Sequence, residues 1–134
     1  MTEPVIIEPT IQKGPSDCAI CCLRMLLGVD YGTVVAAIPR RTKPLKNGLS
    51  TRQIQMVARK LGFTLRFRKG FNEDEDHIGI LDLSKPGKTE MDYHVVLYFN
   101  DSVYDPSSGL LYTDVAAYLL ASGYQIDGFY WRES

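Results

Sequence analysis

The chain has 134 residues, with 15 basic and 16 acidic side chains and a formal charge of −1. A length like this makes one domain, residues 1–134, that removes roughly two-thirds of its unfolded surface from water and needs no staple to hold a core. A charge so near zero argues against a general electrostatic grip on nucleic acid or on an anionic membrane.

Residues 1–11 read as an extended lead-in, with Val5, Ile6 and Ile7 as a short docking strand. The lead-in is acidic where a secretory signal would be basic, and its apolar run is three residues long, so no export signal is read there. Gly14, Pro15, Ser16 and Asp17 then supply turn formers and caps ahead of Cys18-Ala19-Ile20-Cys21-Cys22-Leu23-Arg24-Met25-Leu26-Leu27, a helix of about three turns that Gly28 stops. The run is interrupted by Arg24 and is far short of the ~20 residues that span a bilayer, so a core helix is expected and no membrane insertion. Cys18 falls in its first turn, where the unpaired N–H groups and the positive end of the helix favour thiolate over thiol.

Asp30 is placed to cap a second helix, Tyr31 to Ile38, ended by Pro39. Arg40 to Asn47 reads as an exposed basic loop. Ser50 and Gln53 make a capping box for a third helix whose apolar face is Ile54, Val57, Ala58 and Leu61, with Gly62 as its stop. Phe63, Leu65 and Phe67 alternate with Thr64, Arg66 and Arg68, the period of a strand with one buried face. Asn72 to Asp76 reads as a solvated acidic turn, Ile78 to Leu83 as a strand and Ser84 to Glu90 as a loop. Tyr93 to Phe99 has the β-branched and aromatic content of a central strand, and Asn100-Asp101-Ser102 turns it into Val103-Tyr104-Asp105. Asp105 to Gly109 is a turn and Leu110 to Tyr112 a brief strand. Thr113 is placed to cap a helix through Ala121 that Gly123 ends, and Tyr124 to Trp131 closes the chain as a strand. Helices first and an antiparallel sheet after give an α+β fold.

Three cysteines within five positions of one helix cannot pair with one another in good geometry, so thiols in a reducing, cytoplasmic compartment are expected. A zinc site would need a fourth ligand from His77 or His94, which argues against one; neither metal nor cofactor is expected. The hairpin places His94, near the start of one strand, and Asp105, at the end of the next, on the same end of the pair. A thiol that transfers acyl groups needs a base and a group to orient that base, and Cys18, His94 and Asp105 have the residue types for such a triad. Each also has a plainer reading: a core thiol, a strand-edge histidine and a turn-forming aspartate. Cys21 and Cys22 read as core, His77 as exposed, and Tyr93 and Trp131 as core or rim aromatics.

Gln12 lies six positions before Cys18, and the segment Asp17 to Gly28 follows. Gly48-Leu49-Ser50, Leu61-Gly62-Phe63, His94-Val95-Val96-Leu97 and Asp105-Pro106 with Gly109 come next in order. In these pieces, spread over roughly residues 10 to 110, the chain resembles the bacteriocin-processing, double-glycine leader peptidases, a branch of the papain-like cysteine peptidases. The resemblance implies a papain-like fold with amino-terminal helices packed on an antiparallel sheet. It also implies Cys18 as nucleophile, His94 as base and then acid, Asp105 as orienter, and the Gln12 amide with the Cys18 N–H as oxyanion-hole donors. Ala19 stands where the family's pattern has glycine. The best-known members are domains of membrane-spanning exporters, whereas a stand-alone domain is expected here.

The expected function is a cysteine peptidase acting on a peptide or protein, with small residues such as Gly-Gly before the scissile bond. Two alternatives stand beside it: a catalytically silent domain of this fold that binds a peptide or protein partner, and a thiol enzyme acting on an isopeptide or a side-chain amide.

Overall fold

The computed structural model describes residues 18–38, 49–72, 74–85 and 93–133. The strand expected at Val5 to Ile7, the basic run Arg40 to Asn47, most of the loop before Tyr93, and Gln12 lie outside the described residues.

Helix α1, Cys18–Leu27, buries every side chain from Ala19 to Leu27 except Arg24. It ends because Gly28 takes a left-handed conformation, φ 69°, and its N–H returns to the Arg24 carbonyl at 2.9 Å. Helix α2, Tyr31–Ala37, follows Asp30. That residue has the extended backbone of a cap but makes no side-chain capping bond, so the expected cap is one of position only. Helix α3, Thr51–Lys60, has the expected capping box: the Ser50 N–H donates to Gln53 Oε1 at 2.8 Å and the Gln53 N–H to Ser50 Oγ at 3.2 Å.

Among the described residues six antiparallel strands follow: β1 (Leu65–Lys69), β2 (Ile78–Ser84), β3 (Tyr93–Phe99), β4 (Ser102–Asp105), β5 (Leu110–Tyr112) and, after helix α4 (Val115–Ser122), β6 (Gln125–Arg132). Their order across the sheet is β1-β6-β2-β3-β4-β5. The last strand thus enters the interior, between β1 and β2. Glycine makes that insertion possible: a Cβ at Gly79 would lie 2.0 Å from the Tyr130 carbonyl, and one at Gly128 would lie 2.3 Å from the Phe67 ring.

Alternation along the strands builds two cores. Ile80, Val95, Leu97, Tyr104 and Tyr130 face α1, α2 and α3. Leu81, Leu83, Val96, Tyr98, Val103 and Phe129 face the other way and are covered by Val115 and Tyr118 of α4. The fold is α+β, with helices α1, α2 and α3 on one face of the antiparallel sheet and α4 on the other.

Two expectations are corrected. The cap of α4 is Asp114, whose carboxylate accepts the Ala116 N–H at 2.8 Å, because the helix begins at Val115, one residue later than a Thr113 cap allows. The acidic turn is only partly solvated: Asp74 and Glu75 are exposed, but Asp76 is buried, accepting from the Arg68 guanidinium and from the Asn72 N–H at 2.8 Å. A buried carboxylate is tolerated because a cation and a backbone donor satisfy it. Arg68 also lies 5.4 Å from the ring centre of the half-buried Trp131, so that aromatic sits at the rim. His77 is exposed, as expected.

Candidate active site

The site forms where the first residues of α1 meet the end of the β3–β4 hairpin. The hairpin turn is tight because Asn100 and Asp101 accept positive φ, 43° and 71°, the conformations that match the twist of adjoining strands. Leu97 pairs with Tyr104 and Tyr98 with Val103, which sets Asp105 one step beyond the last pair and His94 diagonally across from it. The diagonal is closed by a hydrogen bond, His94 Nε2 to Asp105 Oδ1, at 2.8 Å. An ionised carboxylate only accepts, so Nε2 carries the proton and Nδ1 is left for another partner.

Cys18 stands beside the same ring. It is the first residue of α1, α1 packs on β3, and its sulfur lies close enough to help raise the His94 imidazole. The three cysteines of this helix differ in access. Cys21 and Cys22 are fully buried, and burial, reinforced by the neighbouring thiols, pushes Cys22 well above its ordinary range. Cys18 alone of the three is partly exposed. The core reading holds for Cys21 and Cys22.

Electrostatics bind the pair together. Burial alone would disfavour a charged His94. The hydrogen bond to Asp105, the hydrogen bond with and charge of Cys18, and the charge of Asp105 outweigh it, and the imidazole is raised to about 9. Burial also works against the Asp105 carboxylate, yet the bonds from His94 and Ser107 and the charge of His94 lower it to about 2. Around neutrality the arrangement is therefore imidazolium beside carboxylate, with the Cys18 sulfur near the same ring. It can hold a proton between Cys18 and His94 and return it to a leaving group.

Three residues that sequence reasoning passed over complete the surroundings. Ser107 donates to Asp105 Oδ1 twice, from its N–H at 2.9 Å and its Oγ at 2.7 Å. Its signal was legible, since a serine two positions after an aspartate is the pattern of a side-chain-closed turn. Tyr118 of α4 donates its hydroxyl to Asp105 Oδ2 at 2.9 Å. Tyr124 stacks on His94, with ring centres 5.5 Å apart and planes at 25°. The only hint of Tyr118 was a tyrosine in a helix of small and apolar residues, whose buried hydroxyl must find a partner. Among the described residues, no cluster of three or more His, Cys, Asp or Glu could hold a metal ion. No single described helix is long and apolar enough to cross a membrane.

With the geometry in place, comparison with known proteins gives three results. The model of the peptidase C39 family matches residues 7–101. The fold is similar to the peptidase domain of Streptococcus ComA, a bi-functional ABC transporter involved in a quorum sensing pathway. That likeness has a TM-score of 0.65 at 17% identity, over 92% of this chain and 95% of that one. It is also similar to the Streptococcus mutans ComA peptidase domain in complex with a small-molecule inhibitor, TM-score 0.58 at 19% identity, over 95% of this chain and 99% of that one. No curated protein sequence matches the chain.

Proposed function

The chain belongs to the peptidase C39 family, and from that premise we propose that it hydrolyses peptide bonds through a covalent thioester on Cys18, with His94 as acid–base and Asp105 as its orienter. The observation that carries this reading is the buried His94–Asp105 bond of 2.8 Å set against the one accessible thiol of α1. Cys18 has given its proton to His94 Nδ1 in the resting thiolate–imidazolium pair, and the sulfur attacks the carbonyl carbon. The developing oxyanion is met by the Cys18 N–H and, as the family resemblance implies, by the Gln12 amide; one such donor is worth about 100- to 1,000-fold in rate. His94 returns the proton to the departing amine. Water then attacks the thioester with His94 as base, releasing the acid and regenerating the thiol.

The substrate proposed is an extended peptide with Gly-Gly before the scissile bond, since small residues best fit a carbonyl that must approach the backbone at the start of α1. A thiolate nucleophile must stay reduced, so we place its action in the cytoplasm. Incubation with a Gly-Gly peptide library followed by mass spectrometry tests the reading. Cleavage by wild type and none by Cys18→Ala is expected. Unchanged cleavage by Cys18→Ala overturns it, as does a wild type that cleaves nothing and ignores a thiol-directed probe. Capture of peptide without turnover, insensitive to Cys18 and His94, would identify a binding domain. A product mass of amide-to-acid conversion or of isopeptide scission would reassign the acceptor.

A further inference from the structure

Helix α4 lies on the face of the sheet opposite α1, yet it and the turn after it send two side chains to the acid–base pair. Tyr118 is 1% exposed, and its ring packs edge-on against Tyr112 with centres 4.9 Å apart. A phenylalanine would fill that space equally well, whereas this residue aims a hydroxyl at Asp105 Oδ2, 2.9 Å away. Burial and the Asp105 charge push the phenol far above its ordinary value, so it stays protonated and remains a donor. Tyr124 lies one residue beyond Gly123, whose φ of 80° ends α4 and whose N–H returns to the Leu119 carbonyl at 2.9 Å. The helix and its cap thus set both tyrosines at once. Tyr124 spreads its ring parallel to that of His94, and Lys85 Nζ stands 5.1 Å from the Tyr124 ring centre.

We propose that Tyr118 and Tyr124 are positioning residues: Tyr118 fixes the rotation of the Asp105 carboxylate, and Tyr124 walls the His94 ring so that its Nδ1 edge faces Cys18. The proposal rests on the triad reading of the site. Its physical basis is the count of constraints. His94 and both Ser107 donors all converge on Oδ1, which leaves the carboxylate able to swing about that oxygen; the bond at Oδ2 removes the swing. His94 is held at one edge by Asp105 and at the other by Cys18, which leaves tilt about that line; a stacked ring opposes tilt, and an aromatic face also favours the imidazolium. Among the described residues, the ionisable groups around His94 are Cys18 from α1, Asp105 from β4 and Tyr124, with Tyr118 reaching it through Asp105 and Lys85 beyond Tyr124.

The test follows the His94 ring by NMR across pH, alongside the rate at which iodoacetamide alkylates Cys18, in the wild type, Tyr118→Phe, Tyr124→Leu and Tyr124→Phe. Neither measurement needs a peptide substrate, so it stands apart from whether a Gly-Gly peptide is cleaved. Tyr124→Leu is expected to lower the titration midpoint of His94 by roughly half a unit to one unit, with the alkylation profile moving alongside, and Tyr124→Phe is expected to restore it. Tyr118→Phe preserves the packing and is expected to speed exchange of the His94 Nε2–H with water by about tenfold, the equivalent of one lost hydrogen bond. Should Tyr124→Leu lose its melting transition, Tyr124→Met repeats the reading with its bulk retained. Ring exchange and midpoint unchanged from wild type in Tyr118→Phe and in the ringless Tyr124 variant would reduce both tyrosines to core packing and overturn the proposal.

Discussion

An aspartate that merely turned the chain before Pro106 would be satisfied by the Ser107 N–H. Asp105 takes four donors, from His94, Ser107 twice and Tyr118, a surplus over what a turn former needs and the ground for proposing it as the orienter. Asp105→Asn keeps the shape but removes the charge that holds the proton on His94 Nε2. By analogy with other triads, kcat/KM on a cleaved peptide should fall by roughly 1,000- to 10,000-fold, as steady-state kinetics would show. Stability should depend on pH through the same bond. His94 is raised from 6.5 to about 9 in the folded chain, so its contribution is complete below about 6.5 and is lost as pH climbs through 9. Asp105 is lowered from 3.8 to about 2, so its contribution is present above about 3.8 and is lost as pH falls through 2. Both shifts describe one buried contact, which is counted once, on the order of 2 kcal/mol. Urea titrations from pH 6.5 to 9.5 should therefore show wild type losing stability, and His94→Gln should flatten that slope. That Cys18, His94 and Asp105 come together was legible because a thiol, an imidazole and a carboxylate at hairpin-compatible spacing are distinctive residue types. Tyr118 was not, because its contact spans two elements whose packing no local pattern encodes.

At the scale of elements, local chemistry predicts well wherever a bond closes within four residues. The Ser50–Gln53 box is such a case, and so are the stops at Gly28, Gly62 and Gly123, each with positive φ. The start of α4 shows the limit, since Thr113 and Asp114 are adjacent residues that can both cap a helix. Geometry decides between them: Asp114 has the extended backbone, φ −147° and ψ 123°, and its carboxylate reaches the Ala116 N–H. Asp114→Ala should accordingly cost about 1 kcal/mol in chemical denaturation, whereas Thr113→Ala, at an exposed position outside the helix, should stay within about 0.5 kcal/mol. Equal losses would return the cap to Thr113. Because α4 carries Tyr118 and leads into Tyr124, a frayed start to this helix reaches the His94–Asp105 pair as well as the fold.

Across the whole molecule the strand order is the feature that sequence pattern left open. Tyr124 to Trp131 reads as a closing strand, but which neighbours it takes depends on long-range register, and β6 pairs with both β1 and β2. Gly79 and Gly128 are the physical trace of that choice: each marks a strand position where an adjacent aromatic or carbonyl occupies the space of a side chain. Gly79→Ala should therefore be among the most damaging single changes away from the site, because its clash is with backbone that cannot rotate aside. The cost should reach the upper end of the ~1 to 3 kcal/mol expected for overpacking, read as a lowered urea midpoint. Gly128→Ala meets the Phe67 ring and, at 3.0 Å, the Arg68 carbonyl; its nearest obstacle can move, so it should cost less. The family match ends at residue 101, short of Asp105, α4 and β6. A fragment of residues 1–101 would leave β1 with no neighbour in the sheet and β2 with one bare edge, and would uncover Leu81, Leu83, Val96 and Tyr98. Such a fragment should show neither a cooperative melt nor dispersed amide resonances, whereas the full chain should show both. A folded fragment would mean that the carboxy-terminal quarter only decorates a core that the helices and β2–β3 already complete.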